Sequence, residues 1–440
     1  MKTRVTVVGG GLAGLFTASE LLAAGIDDLV LLDRDSQPGG VARTIQRDGY
    51  ELEPAATTLL LPKPHLTEVL DHLGAEVVAA IDGATRYLYT RGRLVTLPSS
   101  PMALLAPVVP WSAKLRAVAE PLVRTRASSP DESLDDFMRR RLGSRLGTTM
   151  AWVAASGVFA GDPKRLSVRS AFPAFPALED TAGSIVRGGL QRLKSRPRGS
   201  VRPAAHIPVG GMSALAGKAA ALLGDRYRPG TVVESVRRGE HGWTITGTDE
   251  FESEHVVIAL RPSDAATVVE GDLKAQLERA ATAPVVVVGL GGPSERLPLP
   301  PGFGVLTGPD AGTTALGILF ESSYAPIRAP AGHSLAKVIA GGATRPEVVE
   351  WDDDRIIGQI GNEVSRILGI EADPSFVEIV RHRAGIPQYE VGHNAWLADL
   401  DRLSGPNLHL TGWGYRGVGV GHIAADAVRV ATRIATEAST

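Results

Sequence analysis

Residues 5–14 read VTVVGGGLAG, and this stretch decides the fold. Residues 5–8 predict a short buried strand, residues 15–24 a helix, and residues 29–32 a second apolar strand that ends in Asp33. The G-x-G-x-x-G dinucleotide motif requires a strand, a glycine turn, a helix, a second strand and an acidic residue in this order, and these residues supply all five. We therefore predict a dinucleotide site; the alternative is a glycine-rich turn of an α/β sheet that binds no ligand.

The residue types of the motif each have a physical role. Gly9 permits the tight turn, Gly11 lets the backbone approach a pyrophosphate, and Gly14 lets the helix and the strand pack closely. The pyrophosphate would lie beside Leu12 and Ala13, at the N-terminus of the helix, where free N–H groups and the helix dipole favour an anion.

The residues that follow the second strand continue this signal. Asp33 and Arg34 stand where a ribose is bound, and Asp33 can accept hydrogen bonds from the ribose diol. A second glycine pair, Gly39-Gly40, comes soon afterwards, as in flavoproteins with two dinucleotide-binding motifs, where it runs past the pyrophosphate and the ribityl chain. Arg43 would then point toward the flavin; the alternative is an ordinary turn with a solvated arginine.

A second strand-to-helix junction rich in glycine lies near the C-terminus. Residues 408–413 predict a strand and residues 423–435 a helix. Such a junction distinguishes an FAD protein from a simple NAD enzyme, because it aims a helix N-terminus at the flavin edge where negative charge accumulates on reduction. The residues expected to contact FAD here are Gly412, Val418, Gly419 and Val420, and His422 is either a tuning residue or a structural one.

Composition excludes several classes of function. The 440 residues are too many for one core, and the net charge of −2, with both signs interspersed, argues against a nucleic-acid partner. The absence of cysteine excludes disulfides, thiolate catalysis and cysteine-ligated metals. No cluster of His, Asp and Glu has metal-ligand spacing, so we expect no metal.

We expect an α/β fold, α+β overall, with a Rossmann-like FAD-binding domain that is discontinuous in sequence. A predicted strand over residues 227–236 would contact the adenine through its backbone at Val233. The predicted units are residues 1–80, 203–265 and 405–440 for FAD, residues 81–98 and 266–404 for a mixed-sheet substrate domain, and residues 99–202 for a helical insertion.

The chain shows only weak signs of membrane contact. No run reaches the roughly 18 apolar residues of a membrane span, and the first apolar run is needed as a strand rather than as a secretory leader. Residues 102–111 are apolar but short, so residues 99–125 are either core or a shallow membrane contact. The basic run 139–141 predicts a solvated helix face, with a membrane surface as the alternative. We expect a cytoplasmic protein, and leave peripheral membrane association and a homodimer open.

Longer stretches carry a resemblance to a known family. The chain resembles the protoporphyrinogen oxidase family of amine-oxidase-like FAD flavoproteins along most of its length. The stretches GVFAG at 157–161 and PQYEVGH at 387–393 are the most specific. Others are RYLYTRGRL at 86–94, GGM at 210–212, GFGVL at 302–306 and YRGVG at 415–419.

The resemblance implies an activity and a set of site residues. The family uses FAD and O₂ to convert protoporphyrinogen IX or coproporphyrinogen III to the porphyrin in haem biosynthesis, with release of H₂O₂. Arg86 would pair with a propionate, Phe303 and Leu306 would line one face of the macrocycle and Ile339 the other, and Gly157 would leave room beside the flavin. Together with Arg43, Arg86 and Gly157 are the residues expected nearest the reaction. Arg86 could instead form a structural ion pair, and Phe303 and Ile339 could be ordinary core.

Two stretches depart from the family pattern. Glu53 and Ala55 replace a glycine and a polar residue, and Gly421-His422 replace Asn-Asp or Pro-Asp. These changes motivate two alternatives. One is a flavin-dependent oxidase or desaturase of a secondary-metabolite amine or polycyclic molecule, and the other is a non-catalytic flavin- or tetrapyrrole-binding protein.

Overall fold

The computed structural model describes residues 1–81, 85–97, 111–125, 131–195, 202–240 and 242–437. Strands in this part of the chain are β1 (Lys2–Val8), β2 (Leu29–Asp33), β3 (Ile45–Arg47), β4 (Tyr50–Leu52), β5 (Leu59–Leu61), β6 (Val77–Ala79), β7 (Arg86–Thr90), β8 (Arg93–Leu97), β9 (Ala204–Pro208), β10 (Tyr227–Pro229), β11 (Val233–Gly239), β12 (Gly242–Gly247), β13 (Glu250–Ile258), β14 (Thr282–Pro293), β15 (Gly304–Thr307), β16 (Ala315–Leu319), β17 (His333–Gly341), β18 (Phe376–Pro387) and β19 (Leu408–Leu410).

The α helices in the same ranges are α1 (Leu12–Ala23), α2 (Pro64–His72), α3 (Trp111–Val118), α4 (Leu134–Leu142), α5 (Ser144–Phe159), α6 (Val168–Ala171), α7 (Ala174–Ala182), α8 (Ile185–Lys194), α9 (Gly211–Leu223), α10 (Pro262–Val268), α11 (Gly271–Leu277), α12 (Glu321–Tyr324), α13 (Asp353–Leu368), α14 (His393–Ser404) and α15 (Val420–Glu437).

A seven-stranded sheet carries the glycine motif. Its order is β10-β2-β1-β13-β12-β11, and β19 pairs with β13. The pairs β1–β2, β1–β13 and β13–β19 are parallel. All five residues of β2 are buried, as expected for a parallel strand covered on both faces. The predicted α/β fold with a Rossmann-like layer is confirmed, and three remote segments supply its parallel strands.

Helices cover both faces of this sheet. One core contains Phe16 of α1, Leu215 of α9 and Val430 of α15. The opposite core contains Leu273 of α11 and Leu400 of α14. Residues 266–277 and 393–404, which the sequence analysis assigned to the substrate domain, pack their apolar faces on the first sheet.

A second seven-stranded sheet, of order β18-β14-β17-β16-β15-β7-β8, lies beside the first. It is mixed, because β15 pairs with β7 in parallel and the other pairs are antiparallel. Helix α13 covers it with Ile356, Ile360 and Val364, which recur at helical spacing and are buried. Asp352 caps this helix by accepting from the Arg355 N–H, and Gly369 ends it at φ 68°.

The helical insertion holds a buried charge network where we predicted a solvated face. Arg140 lies 2.8 Å from Glu179, and Arg141, which has no exposed surface, pairs with Glu179 at 3.2 Å and with the equally buried Glu120. The prediction for residues 139–141 is therefore wrong for two of the three arginines. Carboxylates from neighbouring segments neutralise the end of α4, which allows it to be buried.

The segment after α3 also differs from prediction. The expected helix over 111–124 ends at Val118, and a short 3₁₀ turn, Glu120–Leu122, follows. Glu120 accepts from the N–H groups of Ile185 and Val186 at 3.2 Å, so it caps α8 instead of extending α3.

Residues 98–110 lie outside the described residues, with most of the stretch that suggested membrane contact. Among the described helices, none is long and apolar enough to span a bilayer.

Candidate active site

A cavity of about 650 Å³ lies between the two sheets. This volume is in the range of small-molecule and cofactor sites. Its lining includes the ends of β1 and β2, the first turns of α1 and α15, and residues of β14 and β17. The predicted residues that line it are Gly9, Gly11, Leu12, Ala13, Asp33, Arg34, Gly39, Gly40, Gly157, Val233, Ile339, Gly412, Val418 and Val420. The two ends of the chain thus meet at one cavity.

The glycine turn is shaped by close contacts that leave no room for side chains. Gly9 has φ 108°, and a Cβ there would lie 2.8 Å from the Ala259 carbonyl oxygen. A Cβ on Gly14 would overlap the Gly9 carbonyl oxygen, and one on Gly10 would overlap the Asp33 carboxylate. Helix α1 begins at Leu12, three residues earlier than predicted, so its N-terminus opens directly into the cavity.

Asp33 is buried at the end of β2, with 8% of its surface exposed. Burial raises its pKa, and a hydrogen bond from the Asp35 N–H, at 3.3 Å, opposes this shift. The backbone carbonyl of Asp33 accepts from Thr231, two residues before Val233 in the same wall. An acceptor side chain and a strand edge therefore face the cavity together, as a ribose and an adenine require.

Arg43 lies at this same end of the cavity. Its guanidinium pairs with Asp35, two residues after Asp33, and Arg43 is not among the lining residues. Its Nε is buried and makes no hydrogen bond to the described residues. The ion pair holds the guanidinium beside the expected ribose rather than at the C-terminal junction.

The C-terminal junction forms the other end of the cavity. Helix α15 begins at Val420, three residues earlier than predicted, and the Gly419 carbonyl accepts its first helical hydrogen bond, from Ile423, at 3.1 Å. Gly412, Val418 and Val420 line the cavity, whereas Gly419 is exposed and is not among the lining residues. A second helix N-terminus therefore points into the same space.

Side chains of the PQYEVGH stretch hydrogen-bond the residues that precede helix α15. Gln388 donates to the Phe159 carbonyl at 2.8 Å, which joins it to the GVFAG stretch. The Tyr389 hydroxyl accepts from the Gly417 N–H at 2.7 Å and donates to the Trp413 carbonyl. His393 stacks on Tyr389, with ring centroids 4.1 Å apart, and donates to a backbone carbonyl. The two most specific stretches of the sequence thus form one joint, and His393 is structural.

Of the four residues that depart from the family pattern, three lie outside the cavity lining. Glu53 turns away from it and accepts from the Met212 N–H at 2.8 Å and the Thr44 hydroxyl at 3.0 Å. A Cβ on Gly421 would lie 2.7 Å from the Lys63 side chain. His422 packs on Gly417, and burial lowers its pKa. Ala55 alone lines the cavity, and its methyl group is compatible with a cofactor wall.

Two donors from the second sheet and one from the 3₁₀ turn Pro326–Arg328 hydrogen-bond the wall segment 53–57. Lys337, which is 1% exposed, donates to the Glu53 carbonyl at 2.8 Å and to the Thr57 hydroxyl. His382 hydrogen-bonds the Pro54 carbonyl at 3.0 Å, and Arg328 the Thr57 carbonyl at 2.5 Å. Burial lowers the pKa of both Lys337 and His382. Lys337 and His382 line the cavity, and the sequence alone gave no signal for either, since each is an isolated residue on a strand.

The predicted substrate residues fall into two groups. Ile339 and Gly157 line the cavity, and a Cβ on Gly157 would lie 3.3 Å from Leu306. Phe303 stacks on Tyr324 at 4.5 Å, and the exposed Arg86 lies over the Phe303 ring at 5.2 Å. Leu306, Phe303 and Arg86 are absent from the cavity lining. The structure therefore brings Gly157, Leu306 and Ile339 together and leaves Arg86 outside.

The residues present fit FAD. Gly9, Gly10 and Gly14 form a turn that a Cβ would fill, Asp33 offers a buried acceptor, and two helix N-termini face the cavity. Backbone N–H groups at a helix N-terminus stabilise a pyrophosphate or a reduced flavin. Gly10 was not among the predicted residues, although its place between the two motif glycines was the available signal.

Sequence comparisons agree with this geometry. A family model described as flavin containing amine oxidoreductase matches residues 12–435. The chain is 28% identical to the chloroplastic protoporphyrinogen oxidase of Oryza sativa subsp. japonica, over 94% of this chain and 83% of that protein. It is 27% identical to protoporphyrinogen oxidase of Bos taurus, over 99% and 98%. It is 25% identical to coproporphyrinogen III oxidase of Bacillus subtilis (strain 168), over 95% of each.

Solved structures share the fold. A protein from Exiguobacterium sp. 255-15 with a provisional protoporphyrinogen oxidase name superposes with a TM-score of 0.84 at 22% identity, over 99% of each chain. Cyclohexylamine oxidase from Brevibacterium oxydans IH-35A gives a TM-score of 0.75 at 17% identity, over 100% of each.

Proposed function

From its place in the flavin-containing amine oxidoreductase family, to which the chain belongs, we propose that this FAD-dependent oxidase dehydrogenates a porphyrinogen. The substrate is protoporphyrinogen IX or coproporphyrinogen III, and O₂ is the electron acceptor, with H₂O₂ as the second product. The curated relatives named above support this choice, and the reaction would serve haem biosynthesis.

The observation that carries the proposal is the apolar wall at one side of the cofactor cavity. Val285, Val287, Ile339 and Ile386 line it, and Gly157 adds no side chain. A porphyrinogen is large and mostly apolar, with carboxylates along its edge, so such a wall suits its body. Bound FAD supplies the acceptor for a hydride from a carbon bridge between pyrroles.

The titratable residues near this wall are already engaged. Lys337 and His382 hydrogen-bond the carbonyls of the wall segment, and Arg261 and Asp264 pair with each other at 2.8 Å. No base is therefore assigned among these four lining residues. This favours a substrate that loses protons through its own pyrrole nitrogens, and the protein binds it, orients it and excludes water.

Arg86 is the proposed anchor for a substrate carboxylate. Its guanidinium is exposed and its planar face is held over Phe303, which leaves its N–H edge available to a bidentate partner. Arg86→Ala should raise KM about tenfold or more with little change in kcat, since the anchor acts in binding. Arg93→Ala, on the neighbouring strand β8, is the matched control. An unchanged KM for Arg86→Ala would remove this role.

The substrate test uses the purified yellow holoenzyme. Protoporphyrinogen and coproporphyrinogen are each added while porphyrin fluorescence and O₂ uptake are followed. We expect porphyrin from at least one of them. FAD-loaded protein that forms porphyrin from neither would overturn the proposal; turnover of an amine or another polycyclic compound would then identify an amine oxidase or desaturase, and tetrapyrrole binding without turnover a carrier.

Gly157 offers a structural check of the same proposal. Gly157→Leu would place a side chain in the cavity against Leu306, so porphyrin formation should fall at least tenfold while bound FAD is retained. Met150→Leu, on the same helix, is the control. Full activity of Gly157→Leu would place the substrate elsewhere.

A membrane surface is the proposed partner of α3 and the following turn. Trp111, Leu115, Val118 and Leu122 recur at helical spacing and are 77%, 68%, 78% and 86% exposed, while Ala113 and Ala117 face the core. The adjoining residues 102–110 are apolar in sequence, and Lys114 lies over the Trp111 ring. An amphipathic face of this kind with basic residues suits the surface of an anionic bilayer.

Vesicle sedimentation tests this contact. The full-length protein should pellet with phosphatidylglycerol vesicles, and Leu115→Asn with Leu122→Asn should abolish pelleting while activity remains. Leu190→Asn, also exposed and apolar, is the control. If the doubly substituted protein still pellets with vesicles, the assignment is overturned. It is also overturned if the wild-type protein is a dimer that the two substitutions dissociate, because the apolar face would then be a dimer interface.

A further inference from the structure

A cluster of three metal-ligating side chains lies outside the cavity. His255 on β13, His409 on β19 and Glu437 at the end of α15 each place one ligand atom within 4.8 Å of the other two. The two histidines are buried, and the carboxylate lies at the surface end of the cluster. We propose that these three residues bind a divalent zinc ion.

The sheet geometry forces the two histidines to face each other. Strands β13 and β19 are parallel neighbours, with Val257 opposite His409. His255 precedes Val257 by two residues, so its side chain lies on the same face of the sheet. The imidazole rings are nearly parallel, at 24°, and His409 Nε2 is 3.4 Å from His255 Nδ1. That separation is long for a hydrogen bond between ring nitrogens.

The same separation suits a shared metal. Bonds of about 2.0–2.1 Å in a tetrahedral zinc site place neighbouring ligand atoms about 3.3 Å apart. Glu437 Oε2 is 3.9 Å from His255 Nδ1, and its side chain is 38% exposed at a helix end, so a shift of about half an ångström brings this oxygen to the zinc-ligand separation from His255. Two histidines, one carboxylate and a water complete four ligands, a donor set that suits zinc.

The electrostatics of the cluster also suit a cation. Both imidazoles are buried, and a ring nitrogen of histidine is a common zinc ligand. Each nearby arginine has a carboxylate partner, which for Arg433 is the cluster residue Glu437 itself. Arg4 lies near Glu254 at 3.9 Å, Arg429 pairs with Asp426 at 2.8 Å, and Arg433 with the second oxygen of Glu437 at 3.0 Å. The C-terminal end of the α15 dipole adds negative potential.

The site would be structural. Helix α15 has 18 residues, so its metal-binding end is about 27 Å from the end that borders the cofactor cavity. The ion would tie the last helix to two strands of the first sheet. Its occupancy should therefore change stability and leave flavin reduction unchanged, which separates this inference from the proposed function.

Zinc titration of the FAD-loaded, EDTA-treated full-length protein tests the assignment. Calorimetry should show one Zn²⁺ per chain with micromolar or tighter affinity, and Tm should rise by a few degrees at a hundredfold excess over Kd. Co²⁺ in its place should give the visible absorption of a tetrahedral site.

Variants locate the ion. His409→Gln and Glu437→Gln should each weaken Zn²⁺ binding at least tenfold, and His65→Gln, a histidine on the surface of α2, should not. Because Glu437 is at the surface, its variant should remain folded even if His409→Gln does not. Absence of saturable binding, or one-to-one binding that Glu437→Gln leaves intact, would overturn the proposal.

Discussion

Asp33 and Gly10 show how one residue depends on another in this site. The buried carboxylate of Asp33 lies over the position where a Cβ of residue 10 would be. The middle glycine of the turn is therefore needed for the acidic residue as much as for the cofactor. Sequence reasoning assigned the acid but not its glycine, because the motif marks residue 10 as variable.

Replacement of Asp33 should weaken FAD binding specifically. Asp33→Asn removes the charged acceptor for the ribose hydroxyls, and a hydrogen bond to a charged group contributes about 1.5–3 kcal/mol, or roughly a tenfold to hundredfold change in Kd. The measurement is FAD titration at pH 8, because burial raises the pKa of Asp33 and a higher pH favours its charged form. Asp27→Asn, 78% exposed before the same strand, serves as the control, and equal affinities would contradict the ribose assignment.

At the scale of elements, the site depends on joints between segments that are remote in sequence. The PQYEVGH stretch begins at the end of β18 and continues into α14, and it fastens both α5 and the turn before α15. Its histidine is buried, and burial lowers the pKa of His393 below the ordinary 6.5. The resemblance identified this stretch as specific, and the hydrogen bonds give the physical reason.

Lowering the pH should destabilise the protein through the buried side chain of His393. The unfolded His393 takes up a proton near pH 6.5, but the folded one resists protonation, so the free energy of unfolding should fall as the pH is lowered from 7 toward 5. Urea denaturation at several pH values measures this slope. His393→Gln keeps an N–H donor but cannot titrate, so its slope should be shallower. His65→Gln should keep the wild-type slope, and parallel curves for His393→Gln would contradict the prediction.

Lys337 joins strand β17 to the cofactor wall. Lys337→Met would leave the Glu53 carbonyl without its donor and remove one of the two cations beside the buried carboxylate of Glu321, which keeps its pair with Arg328. We therefore expect a loss of about 1–3 kcal/mol in unfolding free energy and weaker FAD binding. Chemical denaturation and flavin fluorescence report the two effects.

The matched control is Lys218→Met, which removes an exposed lysine that also donates to a carbonyl at 2.8 Å. A Lys337→Met protein as stable as this control would show that the wall does not depend on the buried ammonium.

At the scale of the whole molecule, the cavity exists only when the chain is folded. Its lining comes from the first sixty residues, the helical insertion, the second sheet and the C-terminus. FAD should therefore bind the folded state and not the unfolded one. Ligand binding then adds stability by mass action.

Removal of FAD should lower the thermal stability of the protein. At free FAD one hundred times Kd, the stabilisation is about 2.7 kcal/mol relative to the apoprotein, and Tm should rise with FAD concentration. NAD⁺ at equal concentration should have a smaller effect, since it carries no flavin to occupy the end of the cavity at Val420. An equal rise with NAD⁺ would show that the C-terminal junction does not contact the cofactor.

The amino-acid sequence was sufficient to predict the features that are local in the chain. Apolar periodicity and glycines at fixed offsets predicted the glycine turn, β1, β2 and the last helix. These elements together predicted the α/β fold and the FAD cofactor. Helix starts were missed by three residues at α1 and α15, because the first turn of each includes glycines that propensity places outside a helix. Family membership, shown by the comparisons, agrees with the resemblance.

Only the tertiary structure decided which charged residues are buried and which remote residues meet. The arginines at 140 and 141 were expected in solvent, yet glutamates from two other segments neutralise them inside the insertion. His255, His409 and Glu437 have no metal-ligand spacing in sequence and come together through strand pairing. Both results depend on distances between elements, and a pattern of residue types along one chain carries no information about those distances.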